Sequence, residues 1–130
     1  MSTRATYQIK TDLNHSTIYI HHDGYPSGAA RYMRNAIDLM RITNRPLFPS
    51  FIWANEKAEM TESHECHGDT EYRYSLYGKE GAWWVTAYER DFRDDSYNPI
   101  FDGRVERFID KHGERKDRAA FLNWDELRAI

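Results

Sequence analysis

The run Tyr72-Arg73-Tyr74-Ser75-Leu76-Tyr77-Gly78-Lys79-Glu80-Gly81-Ala82-Trp83-Trp84-Val85-Thr86-Ala87-Tyr88 decides the fold. Tyr72, Tyr74 and Leu76 alternate with Arg73, Ser75 and Tyr77, and Trp83, Val85 and Ala87 alternate with Trp84, Thr86 and Tyr88. A period of two sends each set to its own sheet face. Gly78-Lys79-Glu80-Gly81 between the two alternations supplies the turn, so the run predicts an antiparallel hairpin.

Toward the amino terminus the same pattern recurs in residues 6–10 and 17–21, joined by the polar residues 11–16, which predicts a first hairpin. His22-Asp23-Gly24-Tyr25-Pro26 then breaks the strand. Gly24 is expected to take a positive φ, Tyr25 to pack, and Pro26 to open a helix. Ala29, Ala30, Met33, Ile37 and Met40 fall at steps of three and four, the inner stripe of an amphipathic helix ending near Ile42. A second helix is expected from Pro49 or Ser50, with Phe51, Ile52, Asn55 and Ala58 inward. Glu56, Glu59 and Glu62, three residues apart, would then share its outer face. Residues 63–70 form a loop, and residues 90–99 are irregular. Residues 100–105 fit a fifth strand with a bulge at Gly103, yet Val105, Phe108 and Ile109 equally open a helix, so residues 100–112 stay open between the two. Asn123 caps a short terminal helix. The expected architecture is one α+β domain over residues 1–130. It has an antiparallel sheet of four to five strands, two main helices on one face and a short C-terminal helix. Ile18, Ile20, Met33, Ile37, Leu76 and Val85 form its core.

The 130-residue chain is 40% hydrophobic and 15% aromatic, which excludes a disordered protein because so much apolar surface offsets the ordering entropy. No apolar run is long enough to span a bilayer, and no basic-then-apolar leader occupies residues 1–10. The single cysteine excludes an internal disulfide and fits a reducing compartment. These features point to a cytoplasmic protein without a membrane partner. Charge is unevenly spread. Residues 54–71 hold six acids against one base, a net of −5, while the rest holds 15 acids and 17 bases, a net of +2. Such a chain does not coat nucleic acid, which needs clustered Lys and Arg. The acidic stretch is either a solvated face or a surface for a basic partner.

Two short segments concentrate reactive side chains. The first, His21, His22, Asp23 and Tyr25, runs from a strand into a helix start; its spacing matches no nucleotide-binding motif, and turn chemistry alone accounts for its glycine and proline. The second, residues 63–71, holds His64, Glu65, Cys66, His67, Asp69 and Glu71. His-x-Cys-His matches no standard zinc spacing, so no metal or other cofactor is assigned. A polar loop whose histidines make hydrogen bonds is the alternative. The two segments are expected to be neighbours at strand ends. Asp23, Glu65 or Asp69 could serve as a general base in a hydrolase, but no G-x-S-x-G or H-E-x-x-H is present. The hairpin carries aromatics on both faces. Whichever face the helices leave bare offers Trp84 and Tyr88 as interface anchors.

Arg4-Ala5-Thr6-Tyr7, the run from Ile18 through His21-His22-Asp23-Gly24-Tyr25-Pro26-Ser27-Gly28-Ala29-Ala30, Ser63-His64-Glu65 and His67-Gly68-Asp69-Thr70-Glu71-Tyr72-Arg73-Tyr74 resemble a family of small proteins from phages, prophages and plasmids. The family brings no catalytic residue with it. The resemblance implies a mobile-element origin, and small proteins of such elements act by binding host machinery, including as inhibitors of CRISPR–Cas and other defences. The expected function is therefore a non-enzymatic inhibitor. It binds a host protein or ribonucleoprotein with a basic surface through Glu56, Glu59, Glu62, Trp84 and Tyr88. The alternatives are a small metal- or anion-dependent enzyme built on the two histidine segments, and a phage accessory or regulatory protein.

Overall fold

Residues 3–11 and 15–114 are described by the computed structural model. The hairpin at its centre pairs β4 (Tyr72–Lys79) with β5 (Ala82–Asp91), Leu76 opposite Val85 and Tyr77 opposite Trp84. Pairing runs to Lys79 opposite Ala82, so the turn is two residues, Glu80 and Gly81, with φ of 54° and 73°. Two left-handed residues match the twist of the flanking strands. The other hairpin, β1 (Ala5–Lys10) with β2 (His15–Ile20), pairs Tyr7 with Ile18 and Ala5 with Ile20.

The sheet has six strands in the order β3-β2-β1-β4-β5-β6 and is mixed, not antiparallel. The two hairpins join along their first strands, and β1 runs parallel to β4 with Tyr7 opposite Tyr74. Between them the chain passes through α1 (Pro26–Thr43), α2 (Leu47–Ala54) and the edge strand β3 (Glu59–Thr61). The open choice over residues 100–112 resolves into both elements in succession: β6 (Ser96–Arg104) pairs with β5, and α3 (Val105–His112) follows at once. The register shift against β5 falls between Phe101 and Pro99, so the extra residue is Ile100 and the bulge is not at Gly103. Pro99, which lacks a ladder donor, is accommodated there on an edge strand. The expected terminal helix after Asn123 lies outside the described residues.

The helices cover one face. Tyr7, Ile9, Ile18, Ile20, Tyr74, Leu76 and Val85 are buried there beneath Ala29, Ala30, Met33 and Ile37 of α1, Leu47 and Phe51 of α2, and Val105, Phe108 and Ile109 of α3. The six core residues read from the sequence are all among them or in the same cluster. The Tyr7 ring stacks on Tyr74 at 5.1 Å and meets Phe51 at 5.1 Å.

α2 is shorter than its expected extent, which overturns the acidic helix. Asn55 is buried, and its side-chain amide donates to the carbonyls of Phe51 and Tyr32, both at 3.1 Å. The side chain takes over the helix-end carbonyl and ends the helix. Glu56 then lies in a turn, Glu59 in β3 and Glu62 just beyond it. At the start of α1 the positive φ belongs to Asp23, at 55°, not to Gly24. Gly24 is required for another reason: a Cβ there would stand 2.7 Å from the Ala5 Cβ and 2.9 Å from the Thr3 carbonyl oxygen, to which Gly24 N–H donates. Tyr25 does not pack as expected but is 42% exposed.

Candidate functional site

The second sheet face carries no helix. Alternation places Thr6 and Gln8 of β1, Thr17 and Tyr19 of β2, Arg73, Ser75 and Tyr77 of β4, and Trp84, Thr86 and Tyr88 of β5 on it. Part of this face is crossed by residues 63–71, whose centre is a single 3₁₀ turn, His64–Cys66. His64 sits over β1 and β4. Its Nδ1 lies 2.6 Å from the Thr6 hydroxyl and its Nε2 lies 3.5 Å from that of Ser75. Burial, then the nearby Arg73 charge, lowers its pKa to about 4, so the ring is neutral at physiological pH. The His67 ring lies flat on Tyr19 at 3.9 Å, and its Nε2 is 3.0 Å from the Thr61 hydroxyl.

Arg4 ties this turn to the first histidine segment. Its Nη1 donates to Asp69 at 2.8 Å, its Nε to His21 Nδ1 at 3.3 Å and its backbone N–H to Glu71 at 2.6 Å. The Tyr19 hydroxyl is 2.8 Å from the same His21 nitrogen. On the other side Tyr97 donates to the Thr70 carbonyl at 2.7 Å, and the Arg73 guanidinium lies 3.8 Å above the Tyr97 ring. The two histidine segments are thus neighbours, joined through Arg4.

Of the residues singled out in the sequence, the structure gathers His21, His64, His67, Asp69 and Glu71 at this end of the sheet. Glu65 is exposed on the turn; its own amide and the Ser63 hydroxyl hold its carboxyl below the ordinary value. His22 meets His21 edge-on, with ring centres 4.8 Å apart. Asp23 and Tyr25 belong to the α1 start, where the Tyr25 hydroxyl donates to Asp23 at 3.1 Å. Among the described residues no group of three or more His, Cys, Asp or Glu side chains is placed to hold a metal ion. His64 faces hydroxyls on both ring nitrogens, so its hydrogen bonds fasten the turn to the sheet. Arg4, Thr6 and Tyr19 were not singled out for chemistry, although Arg4 and Thr6 stand in the first stretch that carries the resemblance.

Of the acids of residues 54–71, Glu59 lies in the edge strand β3, with Glu56 in the turn before it and Glu62 just beyond it, whereas Glu65, Asp69 and Glu71 belong to the segment that crosses the sheet. Glu56, Glu59 and Glu62 are exposed and make no ion pair among the described residues. Glu59 stands opposite Tyr19, so it projects on the side of the face that residues 63–71 cross. Trp84 and Tyr88 lie on that face half-buried; the Trp84 indole donates to the Lys79 carbonyl at 3.1 Å, and the Lys79 ammonium sits 5.4 Å from its ring. No helix is long and apolar enough to cross a membrane among the described residues. No protein-family model, curated protein or solved structure matches the chain.

Proposed function

We propose that the chain is a non-enzymatic binding protein of a mobile element that inhibits a host defence component, a CRISPR–Cas effector. It does so by laying the acidic β3 edge on a basic surface, with Trp84 and Tyr88 on β5 as further contacts. The observation that carries the reading is the exposure of Glu56, Glu59 and Glu62 at the β3 edge without internal countercharges; Trp84 and Tyr88 stand half-buried on β5, across β2, β1 and β4 from that edge. Unpaired carboxylates on an edge strand block sheet-to-sheet aggregation, and they also steer a cationic partner. An RNA-guided effector holds its nucleic acid in a positively charged channel, the kind of surface such an edge complements. The aromatics then supply contact area at low rotamer cost. The choice of effector rests on the resemblance to phage, prophage and plasmid proteins.

The test is competition. Target-DNA binding by a purified effector is measured as this protein is added. Displacement of DNA that rises with concentration supports the reading, and unchanged DNA binding and cleavage at saturating concentration contradict it for that effector.

A further inference from the structure

The helix-free face changes sign across the sheet. Glu59 lies on its β3 side, whereas alternation places Lys10 of β1 and Arg73 and Lys79 of β4 on the side toward β5 and β6. Within β1, β4, β5 and β6, the one acid on this face is Asp102, opposite Thr86. Lys10, Arg73 and Lys79 make no ion pair among the described residues. Arg73 is the telling case. The half-buried arginines 4, 31, 34, 90 and 104 each hold a carboxylate. Arg73, half-buried as well, holds none: its guanidinium sits 3.8 Å above the Tyr97 ring, and its Nε is buried without a hydrogen-bond partner. The acids beside it are engaged elsewhere, Glu65 with its own amide and the Ser63 hydroxyl, Glu71 with the Arg4 N–H at 2.6 Å. A part-buried guanidinium without an acceptor forgoes the charge-assisted bonds that an anion would supply.

About 20 Å of strand separates Arg73 from Lys79. Tyr77, Trp84 and Tyr88 share the face between them, each half-buried. Asp102 accepts from the Thr86 hydroxyl at 3.0 Å and from that of Tyr77 at 3.3 Å, so the acid is turned to its own neighbours. Rings interleaved with unpaired cations are what a single strand requires: the cations take phosphates, and a base of any identity stacks on a ring. We propose that this side of the helix-free face binds single-stranded nucleic acid, with a phosphate at Arg73, bases on Tyr88 and Trp84, and the strand running on toward Lys10 and Lys79. The distance suits roughly four nucleotides. The net charge of −3 hides this surface because it averages over both sides of the sheet. The inference leaves the β3 edge its basic partner, gives Trp84 and Tyr88 a different one, and does not rest on that reading.

The test is a titration of fluorescein-labelled octathymidylate with the full chain, followed by anisotropy at several salt concentrations, with inorganic polyphosphate of the same length as competitor. Saturable binding at low salt is expected. Three phosphate contacts give a slope of log K against log salt of about −2. Arg73→Gln and Trp84→Ala each weaken binding at least fivefold. Asp102→Asn, which can still accept from Thr86 and Tyr77, removes the repelling charge and tightens binding at least twofold; this gain cannot arise from lost folding. No saturable binding at low salt, polyphosphate that competes as well as unlabelled octathymidylate, or an affinity that Asp102→Asn leaves unchanged overturns the assignment.

Discussion

Arg4 and Asp69 are 65 positions apart and joined at 2.8 Å, and the same guanidinium reaches His21. This one side chain holds together three stretches that the sequence scatters over more than half its length. Asp69 is largely exposed, so the ion pair itself contributes little. The value of Arg4 lies in positioning. Arg4→Ala is expected to cost under about 1 kcal/mol in global stability while loosening residues 63–71. Hydrogen exchange reads the difference: faster exchange at residues 66–70 with unchanged β4 and β5 is expected.

His64 makes stability depend on pH. The unfolded chain takes up this proton near pH 6.5, whereas the folded state takes it up only near pH 4. Stability contributed by the neutral ring is therefore full above pH 6.5 and is lost as pH falls toward 4, by roughly 3 kcal/mol in all. His112, which burial also lowers, acts in the same direction. Urea denaturation between pH 4 and 7 should show a shallower slope for His64→Gln than for the parent chain.

The two buried tyrosines at the centre of the core should respond differently to loss of their hydroxyls. The Tyr74 hydroxyl donates to the Gly24 carbonyl at 2.7 Å, whereas that of Tyr7 is buried with no hydrogen-bond partner among the described residues. Tyr74→Phe is expected to cost about 1–2 kcal/mol, and Tyr7→Phe to be neutral or stabilising. Chemical denaturation of the two variants checks this.

Gly28 lies in the first turn of α1, where Ala ordinarily stabilises a helix by up to about 1 kcal/mol. Here a Cβ would fall 2.0 Å from the Asp23 carbonyl oxygen. Gly28→Ala is expected to reverse the sign and cost about 1–3 kcal/mol, read as a lower melting temperature.

Much of the fold is legible because period-two and period-3.6 patterns are local. Both hairpins, α1 and the buried set of Ile18, Ile20, Met33, Ile37, Leu76 and Val85 follow from them. What is hidden depends on contacts distant in sequence. No periodicity says that β1 joins β4, which makes the sheet mixed. Three residues are too few for β3 to show alternation, and the end of α2 is set by Asn55 bonding to Tyr32 on another helix. At the candidate site the histidines and acids are visible as a composition. The side chain that assembles them, Arg4, looks in the sequence like an ordinary surface arginine.

The most direct measurement is the association rate of the partner effector with the triple variant Glu56→Lys/Glu59→Lys/Glu62→Lys, at low and at high salt. All three positions are exposed, so each substitution should change stability by less than about 0.5 kcal/mol and the melting temperature should hold. Association at least tenfold slower than the parent at low salt is expected, with the gap narrowing at high salt as screening weakens the parent's own steering. An unchanged rate at low salt, with the fold intact, contradicts the acidic edge as the docking surface.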